Sequence, residues 1–157
     1  MPVEIERKFL VNDKQFLQSQ RGQRLVQGYI CTQDNKTVRA RSAGDKAWLT
    51  IKGPTSGFSR SEFEFEIPVE DADGLLHAFA GERKLSKTRY RINHEGHVWE
   101  VDVFEGPNAP LILAEIELES ENESFTRPSW LGAEVTSDYR YYNAYLAEHP
   151  YSSWTSS

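Results

Sequence analysis

Short segments in which charged and apolar residues alternate with period two recur along the whole chain, and this restricts the possible folds more than any other feature. The first segment sets the pattern, with Glu4, Glu6 and Lys8 interleaved with Val3, Ile5 and Phe9. Successive side chains of a strand point to opposite faces, so the three charges share one face. Later segments repeat the motif with one dominant sign each: Arg39 and Arg41 around Ala40, Glu62 and Glu64 around Phe63, Lys87 and Arg89 around Thr88, Glu115 and Glu117 around Ile116. Strands are predicted at 3–11, 25–33, 36–42, 46–52, 60–68, 86–93, 97–104 and 111–119. Turn signals separate them at Asp34-Asn35, Ala43-Gly44-Asp45, Gly53-Pro54 through Gly57, His94-Glu95-Gly96 and Gly106-Pro107-Asn108. Closely spaced strands joined by short turns predict antiparallel hairpins, and eight of them in one small domain predict a closed barrel or a strongly curved sheet.

The charges say which way such a barrel would face. A solvated sheet face usually mixes signs, because opposite charges across strands stabilise by a few tenths to about 1 kcal/mol and like charges repel. Here like charges sit two apart on one face of several strands, so a bound cation between carboxylates and a bound anion between cations would have to compensate. If the sheet closes, the charged faces line a polar interior, and the apolar faces, such as Leu49 with Ile51 and Trp99 with Val101 and Val103, pack outward under helices.

Three stretches read as helices: 13–20, 70–80 with Gly81 as a stop, and 137–147 behind Ser137-Asp138. The region 121–135 reads as loop with a short helix. The fold class is therefore α+β, dominated by strands. At 157 residues the chain is expected to be one domain over 1–150, followed by a loosely held Ser-rich tail over 151–157. A net charge of −6 argues against a general nucleic-acid binder. No apolar run is long enough for a membrane span and no signal peptide opens the sequence, so a cytoplasmic protein without a membrane partner is expected. Cys31 is the lone cysteine, which excludes an intrachain disulfide and a thiolate metal cluster.

Read in order, the charged blocks resemble the CYTH superfamily, the triphosphate tunnel metalloenzymes. Glu4-Ile5-Glu6-Arg7-Lys8 has the form of that family's ExExK signature. It is followed by Thr37-Val38-Arg39-Ala40-Arg41, Leu49-Thr50-Ile51-Lys52-Gly53, Ser61 through Pro68, Lys87-Thr88-Arg89-Tyr90, Trp99 through Phe104, Ala114 through Leu118 and Val135 through Asn143. The resemblance spans residues 3–149, and the succession of blocks is far more specific than the pentapeptide alone. One departure, Ala109-Pro110-Leu111 where similar proteins often have Gly-Leu, falls before a strand and away from the charged positions.

The resemblance implies an eight-stranded antiparallel tunnel that binds a triphosphate with one or two divalent ions, Mg²⁺ or Mn²⁺. On that basis Lys8, Arg39, Arg41, Lys52, Lys87, Arg89 and Arg140 would contact phosphate oxygens, with Lys52 and Arg140 also acting in catalysis. Arg7, Arg60 and Arg91 are weaker candidates. Positions matching Glu4, Glu115 and Glu117 hold the metal that bridges the phosphates, and those matching Glu6, Glu62, Glu64 and Asp102 serve a second metal or the attacking water. Glu6 with Glu62 or Glu64 is expected to position that water and accept its proton. Glu66 and Glu100 fit the strand pattern but are assigned to a tunnel end or solvent.

The activity implied is hydrolysis of a small-molecule triphosphate, foremost inorganic tripolyphosphate. The alternatives are a class IV-type adenylate cyclase, a nucleoside or thiamine triphosphatase, and a non-catalytic polyphosphate-binding module. No base-recognition motif is evident, which favours the inorganic substrate over a cyclase's ATP. His77, His94, His97 and His149 have no metal-ligand spacing, Tyr29, Tyr90 and Tyr141 read as core or tunnel wall, and Trp48 and Trp99 read as packing residues. A homodimer would need an exposed edge or apolar patch, and the sequence locates neither.

Overall fold

The computed structural model describes residues 3–154 and contains nine strands. They are β1 (Val3–Val11), β2 (Gln23–Cys31), β3 (Thr37–Ala43), β4 (Lys46–Lys52), β5 (Ser59–Ile67), β6 (Lys84–His94), β7 (His97–Phe104), β8 (Ile112–Glu117) and β9 (Leu131–Glu134). The hydrogen-bonded order is β5-β4-β3-β2-β6-β7-β8-β1-β9, and β5 also pairs with β1. That pairing closes β1–β8 into an eight-stranded antiparallel barrel, as the alternation predicts. One edge of β1 is divided: Val3, Glu4 and Ile5 face Ser61, Arg60 and Ser59 of β5, while Phe9 and Val11 face Glu134 and Leu131 of β9. β9 is four residues long and falls where loop with a short helix was expected; the structure has turns and this strand instead.

Turn chemistry sets the hairpins. Glu95 and Gly96 both have positive φ (47° and 82°) beneath the His94–His97 pair, the backbone of a two-residue turn that matches strand twist. Three apolar layers pack on the barrel, two on its outside, which they cover unevenly. Phe9, Trp99, Val101, Ala114 and Ile116 pack against Leu17 and Trp130, beneath a 3₁₀ turn at Gln15–Ser19 and the segment leading into β9. The helix α1 (Val69–Leu75), continued by a π turn at Leu76–Ala80, sets Leu76 and Ala80 on Ala40. It lies so close to β2 that a Cβ at Gly28 would meet Leu76 Cδ2 at 2.6 Å. The outer face of β5 and the Ile51 end of β4 have no such cover, and Ile51, Phe63 and Phe65 stand exposed there, where packing under helices was expected.

The third layer fills one end of the interior. Leu10, Tyr29, Leu85, Phe104 and Leu113 lie on the same strand faces as the charged residues, and Leu146 and Ala147 of helix α2 (Asn143–Glu148) pack onto them. A 3₁₀ turn at Tyr139–Tyr141, capped by Asp138, precedes α2. Residues 151–154, expected to be loose, form a 3₁₀ turn whose Tyr151 and Trp154 pack on the Tyr141 side of this layer, with Trp154 Nε1 donating to the His149 carbonyl at 3.0 Å. The rest of the expected tail, 155–157, lies outside the described residues. No helix among the described residues is long and apolar enough to cross a membrane.

Candidate functional site

Inside the barrel, above the Leu146 layer, lies a cavity of about 780 Å³ onto which the alternating charges converge, among threonines and tyrosines. Register explains the convergence. Glu6 pairs with Glu117 and Lys8 with Glu115 across β1 and β8, Glu115 with Glu100 across β7, and Asp102 with Arg89 across β6. On the other side Lys52 pairs with Glu62, Thr50 with Glu64 and Arg39 with Thr50. Cross-strand partners point the same way, so once one charged residue faces inward its neighbours around the ring follow.

The carboxylates form one wall. Glu4 and Glu62 share a hydrogen bond between their carboxyl groups; burial, partly offset by Lys52, and the nearby Glu62 raise the Glu4 pKa. Burial, with Glu115 and Glu4 alongside, raises the pKa of Glu6 well above its ordinary value. Glu6 shares a hydrogen bond with Glu115, whose own burial is outweighed by Lys8, Arg89 and that hydrogen bond, so that its pKa is held at about 2. Glu117 is raised by burial and by Glu4 and Glu100. Two lysines lean into this wall, Lys52 Nζ to Glu4 at 3.0 Å and Lys8 Nζ to Glu115 at 3.6 Å. Lys8 also donates to the Tyr141 carbonyl at 3.0 Å. Glu64 stands more openly on the cavity surface and accepts a hydrogen bond from Thr50 Oγ1 at 2.9 Å.

The cations form the facing wall. Lys87 Nζ lies 2.8 Å from Asp102 and donates to Asn143 Oδ1 at 2.6 Å. Arg89 grips the same Asp102 with two hydrogen bonds of 2.8 and 2.9 Å and reaches Glu100 at 3.3 Å. Burial drives Lys87 down to about 7 against the pull of Asp102, with Arg89 and Arg41 adding to the fall. Asp102 is held far below the usual carboxylate range, its burial outweighed by Arg89 and Lys87. Arg41 falls to about 9 through burial and the neighbouring Arg39 and Arg89. The buried Nε of Arg39 has no hydrogen-bond partner, and its Nη2 donates to Thr50 Oγ1 at 3.3 Å. An unsatisfied buried donor and a crowd of like charges are what an anion would relieve.

The barrel thus brings Glu4, Glu6, Lys8, Arg39, Arg41, Lys52, Glu62, Glu64, Lys87, Arg89, Glu115 and Glu117 onto one cavity surface. Two expected site residues are placed elsewhere. Asp102 lies beneath the wall, 1% exposed, with both oxygens taken by Lys87 and Arg89, so it serves as their counter-ion and not as an open ligand. Arg140 does not line the cavity; Asp138 accepts from its backbone N–H at 3.1 Å and from its guanidinium at 2.6 and 3.0 Å. Three uncharged residues that sequence reasoning passed over, Gln27, Thr50 and Asn143, hold the charged ones in place. Thr50 could have been found by parity with Lys52; the other two depend on partners distant in sequence.

Among the described residues no three Asp, Glu, His or Cys side chains stand in a ready-made cation cluster. What the acidic wall offers instead is oxygen-only donors in proton-sharing pairs. That donor chemistry fits a hard divalent ion, which binds deprotonated carboxylates and completes its shell with water or phosphate oxygens.

A family model, the CYTH domain, matches residues 2–151. The chain belongs to this family. Among curated relatives, an inorganic triphosphatase of Acetivibrio thermocellus is 44% identical over 151 residues, covering 96% of this chain and 97% of that protein. An inorganic triphosphatase of Nitrosomonas europaea is 41% identical over 149 residues, covering 92% of this chain and 96% of the relative. The crystal structure of an inorganic triphosphatase superposes with a TM-score of 0.65 at 37% identity, covering 91% of this chain and 96% of that one. CYTH proteins of the tunnel type are metal-dependent enzymes, and the paired carboxylates accord with that.

Proposed function

We propose that this CYTH protein hydrolyses inorganic tripolyphosphate to pyrophosphate and phosphate in its barrel cavity, with Mg²⁺ or Mn²⁺, in the cytoplasm. The observation that carries the reading is the separation of sign across one cavity: proton-sharing carboxylates on one wall, crowded and incompletely bonded cations on the other. The full-length likeness to two inorganic triphosphatases supports it. A chain of phosphates has oxygens on every side, so it can touch the basic wall with one edge and present the other to the acidic wall.

In this reading Arg39, Arg41, Lys87 and Arg89 receive the phosphate oxygens, the arginines by paired N–H donors and the lysine as a point charge. Lys8 and Lys52 turn from Glu115 and Glu4 toward the substrate. Glu4, Glu115 and Glu117 hold a divalent ion, with Glu6, Glu62 and Glu64 available to a second. When bound, such an ion supplies charge neutralisation on the phosphate oxygens. Glu64, open to the cavity and oriented by Thr50, with Glu62 beside it on the strand, positions the water and takes its proton. The water oxygen bonds to a terminal phosphorus in line with the bridging oxygen, that P–O bond breaks, and pyrophosphate leaves with the electron pair.

The test is product analysis on tripolyphosphate, ATP, thiamine triphosphate and pyrophosphate, with Mg²⁺, Mn²⁺ or EDTA. Phosphate and pyrophosphate from tripolyphosphate at the highest kcat/KM, lost in EDTA, is the expected result. Cyclic AMP as the main product from ATP, or no turnover of tripolyphosphate, overturns the reading.

A further inference from the structure

Arg41 is held unlike the other cations assigned to the substrate. Lys8, Arg39, Lys52, Lys87, Arg89 and Arg140 each have a carboxylate within ion-pair distance. Among the described residues Arg41 has none. The tie its side chain does make is uncharged: Nε donates to Gln27 Oε1 at 2.8 Å. The two residues face each other across β2 and β3, so the barrel register itself creates the contact.

Gln27 is 0% exposed and bonded at both ends of its amide. Its Nε2 donates to Tyr29 Oη at 3.0 Å and to Asn143 Oδ1 at 3.4 Å. Because Arg41 can only donate, the oxygen must face it and the NH₂ must face the two acceptors, which fixes the amide orientation. Asn143 in turn accepts from Lys87, so one buried amide chain connects Arg41, the first residue of α2 and the Lys87–Asp102 pair. A carboxylate at position 27 would hold Arg41 equally well but would cancel its charge. An amide orients without neutralising.

We propose that Gln27 is a positioning residue that aims the Nη nitrogens of Arg41 at the substrate's phosphate oxygens while leaving that arginine's charge for the substrate. The inference rests on the reading of the cavity as a triphosphate site and adds to it a residue that touches no substrate. Gln27→Met keeps the volume and removes the acceptor. Tripolyphosphate binding, measured by calorimetry in EDTA, should weaken roughly tenfold in this variant, the loss typical of a hydrogen bond to a charged group. KM with metal should rise by the same factor, with kcat within about twofold.

In an Arg41→Ala background the same substitution should change binding less than about twofold, because the group it orients is gone. Equal losses in both backgrounds would show a merely structural role and overturn the proposal. Gln27→Glu keeps size and acceptor but adds charge, and it decides the matter if the Met variant does not fold. It should bind tripolyphosphate roughly tenfold more weakly as well, and wild-type affinity would overturn the claim. A wild-type protein that binds tripolyphosphate but does not hydrolyse it would overturn the proposed function and leave the calorimetric comparison valid.

Discussion

On the basic wall of the cavity, Lys87 and Arg89 lean on a carboxylate buried behind them; on the acidic wall, Glu6 leans on Glu115 and Glu4 on Glu62, carboxyl against carboxyl. The cations that reach the acidic wall, Lys8 and Lys52, are ones that the proposed function assigns to the substrate. The basic wall is therefore assembled before any ligand arrives, with its counter-ion on the side the ligand does not see. The acidic wall instead sets carboxyl against carboxyl, and burial with like-charged neighbours raises the pKa of Glu4 and Glu6. The difference shows how one small barrel holds charges of both signs: it neutralises from behind what must keep its position, and leaves in tension what a cation is to occupy.

The most severe way to break this contrast is to remove the counter-ion. In Asp102→Asn, Lys87 and Arg89 keep their burial and lose their partner, so stability should fall by about 3–5 kcal/mol in chemical denaturation. Added tripolyphosphate should recover part of that loss, because an anion from the cavity side replaces the one behind the wall. A variant as stable as the parent would mean that the buried pair contributes nothing to assembling the wall. Next in size is Glu117→Gln on the opposite wall. This side chain is exposed at the cavity and has no hydrogen bond or ion pair among the described residues, so its stability should be unchanged within about 0.5 kcal/mol. Metal-dependent kcat should nonetheless fall by roughly a hundredfold if it helps hold the ion. Full turnover in Glu117→Gln removes it from the metal set.

The two walls also differ in how far the sequence reveals them. Alternation is local and has period two, so the inward face of each strand could be read directly, and register carries it around the closed ring. Depth along the barrel has no such period. Asp102 has the same parity as Glu100, but it pairs with Leu113 on β8, at the level where Leu10 and Phe104 begin to fill the interior. Parity therefore could not separate a ligand from a buried counter-ion. Gln27 escaped notice because a lone amide between Leu25 and Tyr29 acquires meaning only from Arg41 across the hairpin. β9 is too short for alternation to register; its Gly132 packs so closely that a Cβ would meet Leu10 O at 3.0 Å.

A smaller effect of opposite sign should appear at Glu6. Its folded pKa is raised, so the contribution of this group to stability is intact below the unfolded value of 4.5 and is lost as pH rises from there through the raised folded value. Glu6→Gln carries no proton to lose and can still donate to Glu115. In EDTA at pH 7 it should be more stable than the parent, with the gap closing as pH falls toward 4.5. Thermal melts of the two proteins between pH 4.5 and 8 provide the check. A parent that is the more stable across that range would show Glu6 to be comfortably ionised and the acidic wall not to be in tension.

The least effect is expected at Arg140, and it tests whether the cavity is complete as it stands. Its guanidinium forms a paired contact with Asp138, two residues earlier, and lies over the ring of Trp154 at 5.2 Å, on the outside of the segment that leads into α2. Such an exposed pair contributes about 0–1 kcal/mol. With nine lysines and arginines already lining the cavity, Arg140→Ala should lower kcat/KM on tripolyphosphate less than about threefold, a difference below 1 kcal/mol in transition-state stabilisation. A loss of tenfold or more would carry a specific meaning. The Asp138–Arg140 pair would have to open when substrate binds, with the 138–141 turn moving so that the guanidinium joins the phosphates. Asp138→Ala, which releases Arg140 without removing it, would then raise affinity for tripolyphosphate where Arg140→Ala lowers it; if both variants leave affinity unchanged, the basic wall is complete without this residue.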